Sequence, residues 1–461
     1  MTGARGAAER PLGRLSAEDL LSGEFDTVIL ATADVQGRLV GKRLSPTAFV
    51  DKVLTGIHVC TCTLAWDMDQ ALEGITLGYA GIHTGWHDFV VRPDVSTLRV
   101  AGWAPRTAIC LGDAVDDAGE LVPIAPRTIL RRQLEALRAR GLTASASTEL
   151  EFFVYRDTYE AARLADYRGL VPTTSRHADY AIQETEGLEY FFGPLRGALE
   201  ASGLAVEMSQ GEWGLGQWEM NLSHDEPLAM ADAHVLFKLG VKAMGSRAGL
   251  ATTFMARPTT EAGIGSSCHV HVSLRDDDGT AIYHDADDPQ GIGDPIRHSI
   301  GGVLERAPEL MLWYAPTINS YRRTASEDFA GRGATWGFDN RTVTCRVVAG
   351  SPAAARLEYR VPGADVNPYL TLSAVLASVA DGLDRAVDPG PATVGSGYDL
   401  DVAPLPETLE KATDRWESSA FVAQAFGAEV QAHYGGLARH EWRRFNQDVT
   451  DWERRRYFEG I

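Results

Sequence analysis

Four stretches of the chain alternate polar and apolar residues with a period of two. In TELEFF (148–153), Glu149 and Glu151 fall on one face of a strand and Leu150 and Phe152 on the other. In GEWGLGQWEMNLSH, Glu219 shares its face with Gln217 and Asn221, and Glu212 lies seven residues upstream across a Gly-rich bend. In GIGSSCHVHVSL, His269, His271 and Ser273 oppose Cys268, Val270 and Val272. In ARLEYRVP, Arg356, Glu358 and Arg360 oppose Leu357, Tyr359 and Val361. The apolar halves suit a core. The polar halves repeat glutamate and histidine and hold no lysine, unlike an ordinary solvated sheet face.

Elsewhere the period lengthens to that of helices. APRTILRRQLEALRARGL (125–142) sets Ile129, Leu130, Leu134 and Leu137 along one stripe. Pro126 suits its first turn and Gly141 its end. SAEDLLSG predicts a short helix capped by Ser16, with Gly23 just past its end. FDTVILATADVQGRLVGKRLS carries two apolar runs about DVQG and predicts a hairpin. EYFFGPLRGALEASGL, DAHVLFKLGVKAMGSRAG, AFVAQAFGAEVQAHY and HEWRRFNQDVTDWERRRYF predict helices, AVEM a strand, and AVDPGPATVGSG a loop. Strands and helices interleave without a regular βαβ beat, so the expected fold class is α+β. Residues 1–15 read as a flexible tail, short strands run to about residue 105, and a second region opens at ICLGDAVDDAGELVPI.

Composition narrows the function. The 461 residues are 44% hydrophobic and 23% charged, as in ordinary globular proteins. A net charge of −20 argues against nucleic acid as a partner. No apolar run is long enough to span a membrane, and MTGARGAAERPLGRLSAEDL has no apolar core of the kind a signal peptide needs. Five cysteines (Cys60, Cys62, Cys110, Cys268 and Cys345) form no disulfide framework and point to a reducing cytoplasm. The C-x-C pair is read as two half-buried thiols on one strand face rather than as a soft-metal site.

Singly, each alternating strand has a bland reading: a wet sheet face, a satisfied histidine, solvated arginine–glutamate pairs. Together, five glutamates and one histidine on one polar face suit hard divalent cations, Mg²⁺ or Mn²⁺ rather than Zn²⁺. Arginines on the same face grip carboxylate or phosphate in a fork. Metals beside arginines are what phosphoryl transfer requires, because charge spreads over oxygens that must be held. No G-x-x-x-x-G-K-[ST] loop is present, so this sheet must hold any nucleotide.

The motifs resemble those of class I glutamine synthetases and their γ-glutamyl-amine ligase relatives. TELEFF is similar to the E-x-E strand, EWGLGQWE to E…GQ-x-E, and GSSCHVHVS to G-x-G-x-H-x-H-x-S. APTINSYRR resembles N-S-Y-K-R, WGFDNRTVTCR the N-R-x-x-x-x-R segment, and RLEYRVPGADVNPYL the R-x-E-x-R…N-P-Y-L run. The order and spacing match from about residue 26 onward. The resemblance implies a β-grasp-like N-terminal domain (16–105) and a larger catalytic domain (106–461) with a curved antiparallel sheet surrounded by helices. It implies that Glu151, Glu212 and Glu219 hold one metal and Glu149, His269 and Glu358 a second, with two to three Mg²⁺ or Mn²⁺ per site. Arg341 and Arg346 would stabilise the transferred phosphoryl group. Arg323, Arg360 and the backbone at Gly265 would bind glutamate, and Glu207, His271, Ser273 and Arg356 would lie along ATP. A homo-oligomer is implied, a dodecamer of two hexameric rings, each site completed by a neighbour.

Two departures concern the amine. Ammonia-using members carry L-V-P-G-Y-E-A-P after N-S-Y-K-R. Here TASEDFAGR puts Phe329 in the glutamate's place, with Glu327 and Asp328 close by. The family's D-G-S-S-I becomes WDMDQALEG, where Asp67 matches the aspartate that serves ammonium. A phenyl ring cannot accept a proton. The expected enzyme is therefore a ligase that joins L-glutamate to an organic amine such as a polyamine or ethanolamine. Phe329, Trp66 and the acidic SED stretch would suit an organic cation. The alternatives are an ordinary glutamine synthetase, a non-catalytic relative, and a metal-dependent hydrolase built on HVH. Hydrolysis gives no reason for the arginines. Tyr398 is a loose match to the tyrosine that is adenylylated in some members.

Overall fold

The computed structural model describes residues 12–461 except 54, 262–263 and 326–328. Glu327 and Asp328 therefore lie outside the described residues, as do residues 1–11 of the expected tail. Beyond those, Gly13 and Leu15 are tied by backbone hydrogen bonds to Val100 and Leu98.

Strands β1 (Thr27–Ala33), β2 (Leu39–Leu44), β3 (Ile57–Cys60), β4 (Asp88–Pro93), β5 (Arg99–Val100) and β6 (Thr107–Val115) form one sheet, in the order β2-β1-β6-β4-β3 with β5 beside β6. β1 and β2 are the expected hairpin. The turn between them needs Gly37 at φ 81°, where a side chain would be strained. β6 runs parallel to β1, and all nine of its residues are buried. It carries no alternation, because both its faces are covered. It extends this sheet past residue 105. Cys60 ends β3 and Cys62 sits in the following 3₁₀ turn, not on the strand, its backbone N–H 3.3 Å from the Cys60 sulfur.

The second sheet holds β7 (Leu142–Tyr155), β8 (Val206–Gly211), β9 (Gln217–Leu222), β10 (Ala251–Thr253), β11 (Cys268–Asp276), β12 (Trp336–Phe338), β13 (Cys345–Val348) and β14 (Arg356–Tyr359). Its order is β12-β13-β14-β11-β7-β9-β8, antiparallel except between β12 and β13. Register places Glu149 opposite Asn221 and His269, Glu151 opposite Glu219, and Glu358 opposite His271 and Arg346. All four alternating stretches thus share one face. Their apolar partners point the other way: Phe152 is fully buried against the rings of Phe192, Phe237 and Phe254.

Behind that face lie the long helices Pro227–Arg247, Asp294–Tyr314 and Pro368–Arg385, each with proline in its first turn. The predicted helix forms over Pro126–Arg138. Its buried Arg127 bonds Asp94 of the turn after β4 at 2.8 Å, Asp113 of β6, and Asp232 of the Pro227 helix at 3.0 Å. The helix Ala428–Phe445 returns to the first sheet's region. His433 reaches the Leu64 carbonyl at 2.7 Å, Tyr434 donates to the Ile124 carbonyl at 2.9 Å, and Arg444 pairs with Asp67. Among the described residues no helix is long and apolar enough to cross a membrane.

Candidate active site

Three elements set one end of the polar face. Glu151 comes from β7, Glu219 from β9, and Glu212 from the bend between β8 and β9. Gln217 holds Glu151 at 2.8 Å and the Gly265 carbonyl at 3.0 Å, and the Ser267 N–H donates to the same Glu151 oxygen at 2.9 Å. Gln210 donates to Glu212 at 3.0 Å and Glu219 at 3.4 Å. These amides fix the carboxylates without neutralising them. Among the described residues no lysine or arginine forms an ion pair with any of the three. Burial, then the charge of Glu151, pushes Glu212 up to about 8. Burial, then Glu149 and Glu151, pushes Glu219 up to about 9. Oxygen donors facing one another without a cation fit a hard divalent ion.

The other end is charged in the opposite sense. His269 Nδ1 stands 3.1 Å from Glu149 and 3.6 Å from Glu358, and His271 Nε2 stands 2.8 Å from Glu149. Arg346 donates to Glu358 at 2.8 Å and also pairs with Asp339, while Arg360 pairs with the other Glu358 oxygen. Burial opposes ionisation at both carboxylates. Even so, the charges of His269 and Arg360 draw Glu358 down to about 2, and hydrogen bonds from His269 and His271 hold Glu149 well below its usual range. Ligand atoms of Glu149, His271 and Glu358 lie within 4.8 Å of one another. Arg356 donates to His271 Nδ1 at 3.1 Å. Arginine only donates, so His271 Nδ1 accepts and its Nε2 carries the proton toward Glu149.

A cavity of about 320 Å³ opens from this end and is lined by Glu149, Glu207, His271, Ser273, Arg275 and Arg356. It gathers the four side chains expected along the nucleotide. Arg341 is exposed and lines a neighbouring cleft with Asp339 and Asn340.

Of the residues expected to bind glutamate, Arg323 is only 1% exposed. Its guanidinium donates to the Val361 carbonyl at 2.7 Å, the Ser267 hydroxyl at 2.8 Å and the Arg360 carbonyl at 3.3 Å. A Cβ at Gly265 would meet the Arg323 side chain at 2.8 Å, so only glycine lets this loop approach. Phe329, at φ 53°, presents a ring that is 54% exposed, and its carbonyl accepts from Arg360 at 3.2 Å.

Two residues expected near the amine are engaged elsewhere. Asp67 is 6% exposed, pairs with Arg444, and lines a separate cavity of about 90 Å³ with His440 and Glu441. The Trp66 indole donates to Asp34 at 3.1 Å and has Arg38 over its ring. Sequence reasoning passed over Gln210 and the Ser267 amide. Gln210 stands directly opposite Glu219 in register, a signal visible only once the strands are paired.

Comparison with known proteins agrees with this arrangement. A family model described as the glutamine synthetase catalytic domain matches residues 123–457. Gamma-glutamylethanolamide synthetase GlnA4 of Streptomyces coelicolor is 41% identical over 454 residues, 98% of this chain and 96% of that one. Glutamate–isopropylamine ligase of a Pseudomonas species is 32% identical, over 95% of this chain and 96% of that one. Among solved structures, GmaS without ligand matches with a TM-score of 0.82 at 25% identity, over 96% of this chain and 99% of that chain.

Proposed function

The chain belongs to the glutamine synthetase family, and from that premise we propose that it is an ATP-dependent ligase joining the γ-carboxylate of L-glutamate to a small organic amine. Phosphorylation turns a poor leaving oxygen into a good one, and the amine then displaces phosphate from the acyl carbon. The observation that carries the acceptor assignment is Phe329. It stands beside Arg360 at the glutamate end, where a ring can neither attract ammonium by charge nor take its proton. The relatives that act on ethanolamine and isopropylamine support the same reading.

Within this reading Glu151, Glu212 and Glu219 hold one Mg²⁺ or Mn²⁺, and Glu149, His269 and Glu358 a second. His269 Nδ1 faces both Glu149 and Glu358, whereas the Nδ1 of His271 is held by Arg356. When bound, the ions neutralise charge on phosphate oxygens. Arg346, fixed by Asp339 and Glu358, presents a guanidinium to the transferred group, and Arg341 adds a second from the cleft beside it. Arg360 can exchange the Phe329 carbonyl for the carboxylate of glutamate. Arg323 braces the backbone around that position. Glu207, His271, Ser273 and Arg356 receive the nucleotide.

We assign Asp67 to the junction with Arg444 rather than to deprotonation of the amine. The first sheet's extension through β6 supports a domain boundary near residue 115. Family membership supports a cytoplasmic dodecamer.

The test is phosphate release from ATP with Mg²⁺ and glutamate across ammonium, ethanolamine, isopropylamine and putrescine, with the product weighed by mass spectrometry. Turnover with an organic amine well above ammonium is the expected result. Best turnover with ammonium overturns the acceptor assignment and leaves an ordinary glutamine synthetase.

A further inference from the structure

Beside Glu212 the surface carries aromatic side chains that the transfer chemistry does not use. Trp213 follows Glu212 directly and is 55% exposed. Its indole stacks on the His177 ring at 4.4 Å between centroids and 18° between planes. His177 Nδ1 also lies 2.6 Å from the Trp213 carbonyl, so the stack is held from both ring and backbone. Tyr180, 63% exposed, completes the group: its N–H donates to the Gly211 carbonyl at 3.2 Å.

This arrangement is built, not incidental. Ala178 is fully buried and anchors the loop between His177 and Tyr180. A Cβ on Gly211 would meet the Ala178 carbonyl at 2.6 Å, so the loop lies against β8 only because residue 211 is glycine. Tyr180 is a non-glycine residue at φ 55°. Such backbone is unfavourable for a side-chain-bearing residue and persists where its surroundings impose it. Charge is present too. Asp179 lies between the anchor and Tyr180, and its field reaches both Glu212 and Tyr180. Large exposed rings beside carboxylates form a surface that attracts an organic ammonium, the rings taking the alkyl part and the acids the charge.

We propose that Trp213, stacked on His177 and flanked by Tyr180 and Asp179, is the specificity wall against which the alkyl portion of the acceptor amine rests. The wall adjoins Glu212 at the bend between β8 and β9, and Tyr180 within it lies in the field of Glu212, Glu219 and Arg341. It replaces Trp66, which is committed to Arg38 and Asp34, as the aromatic partner of the amine. The inference rests on the reading of the protein as a glutamate–amine ligase and names the residues that choose the amine.

The experiment compares wild-type enzyme with Trp213→Ala and Trp213→Phe, using Mg²⁺, ATP and glutamate with ammonium, ethanolamine, isopropylamine and putrescine. The readouts are kcat and KM for each acceptor, with KM for glutamate as the internal reference and thermal unfolding as the check on folding. Trp213→Ala should lower kcat/KM for alkyl amines relative to ammonium by about tenfold, through KM, as expected for loss of one desolvated ring contact. Trp213→Phe should recover most of the selectivity. His177→Ala should reproduce the same shift at a smaller size, because it removes only the support of the stack. Equal losses for every acceptor, or a parallel rise in the KM for glutamate, would overturn the wall while leaving the ligase reading intact. A wild-type enzyme that turns over only ammonium would overturn both.

Discussion

The two ends of one polar sheet face are built on opposite electrostatic plans. At the Glu149–Glu358 end, half-buried Glu149 and buried Glu358 each meet histidine or arginine and ionise more readily than usual. At the Glu151–Glu212–Glu219 end, acids meet acids and neutral amides, and Glu212 and Glu219 hold their protons to about 8 and 9. The difference shows where the protein supplies its own counter-charge and where the described residues supply none. The first end is organised before any ligand arrives. The second is the end where a cation would change the charge balance most.

Breaking the cation-dependent end should have the largest effect. Glu219→Ala removes a donor from the crowded set and should lower kcat/KM by about 10³-fold, measured by phosphate release at saturating Mg²⁺. A loss below tenfold would mean that Glu219 is not a ligand. Next comes the self-neutralised end. Arg346→Lys cannot hold Asp339 and Glu358 in one fork. It should cost about 10²-fold in kcat and much less in the KM for glutamate.

The third prediction sharpens the contrast without touching a ligand. Gln217→Leu frees one Glu151 oxygen from its amide donor. Mn²⁺ affinity, followed by calorimetry, should weaken by about 10-fold or more. His271→Gln at the other end should change Mn²⁺ affinity less than ATP affinity.

The smallest effect concerns pH. In metal-free protein the folded state keeps protons on Glu212 and Glu219 that the unfolded chain loses near 4.5. Folded protein therefore binds more protons between about pH 4.5 and 9, and stability falls as pH rises through that window. Buried His234, His269 and His433 titrate in the opposite sense, so the contribution of the two acids is read as a difference. In EDTA, the Tm gained by Glu212→Gln with Glu219→Gln over wild type should grow from pH 5 to pH 9, and Mg²⁺ should shrink that gain. A gain that stays constant or falls over the same range would contradict the assignment.

The polar face was legible in the sequence because strand alternation puts Glu149 beside Glu151 and His269 beside His271 whatever the pairing. Pairing itself was not legible. Nothing local shows that Gln210 stands opposite Glu219, or that the fully buried β6 runs parallel to β1. The expected amine side is made by bends and loops rather than by a repeat, so alternation gives no guide to it. Trp66 and Asp67 look available in sequence, and each is satisfied by a residue from another part of the chain: Asp34 and Arg38 of the hairpin turn, and Arg444. Trp213 lies in a Gly-rich bend with no periodic pattern around it. Only the stack with His177 marks it.

The return of the helix Ala428–Phe445 to the first sheet's region sets a timetable for synthesis. Leu64 waits for His433, Ile124 for Tyr434 and Asp67 for Arg444, across separations of 369, 310 and 377 residues. At about 5–20 residues per second on the ribosome, the N-terminal strands emerge tens of seconds before the helix that finishes their packing. During that interval the surface around Leu64 and Asp67 is uncovered, and a nascent chain is most exposed to chaperones and proteases there.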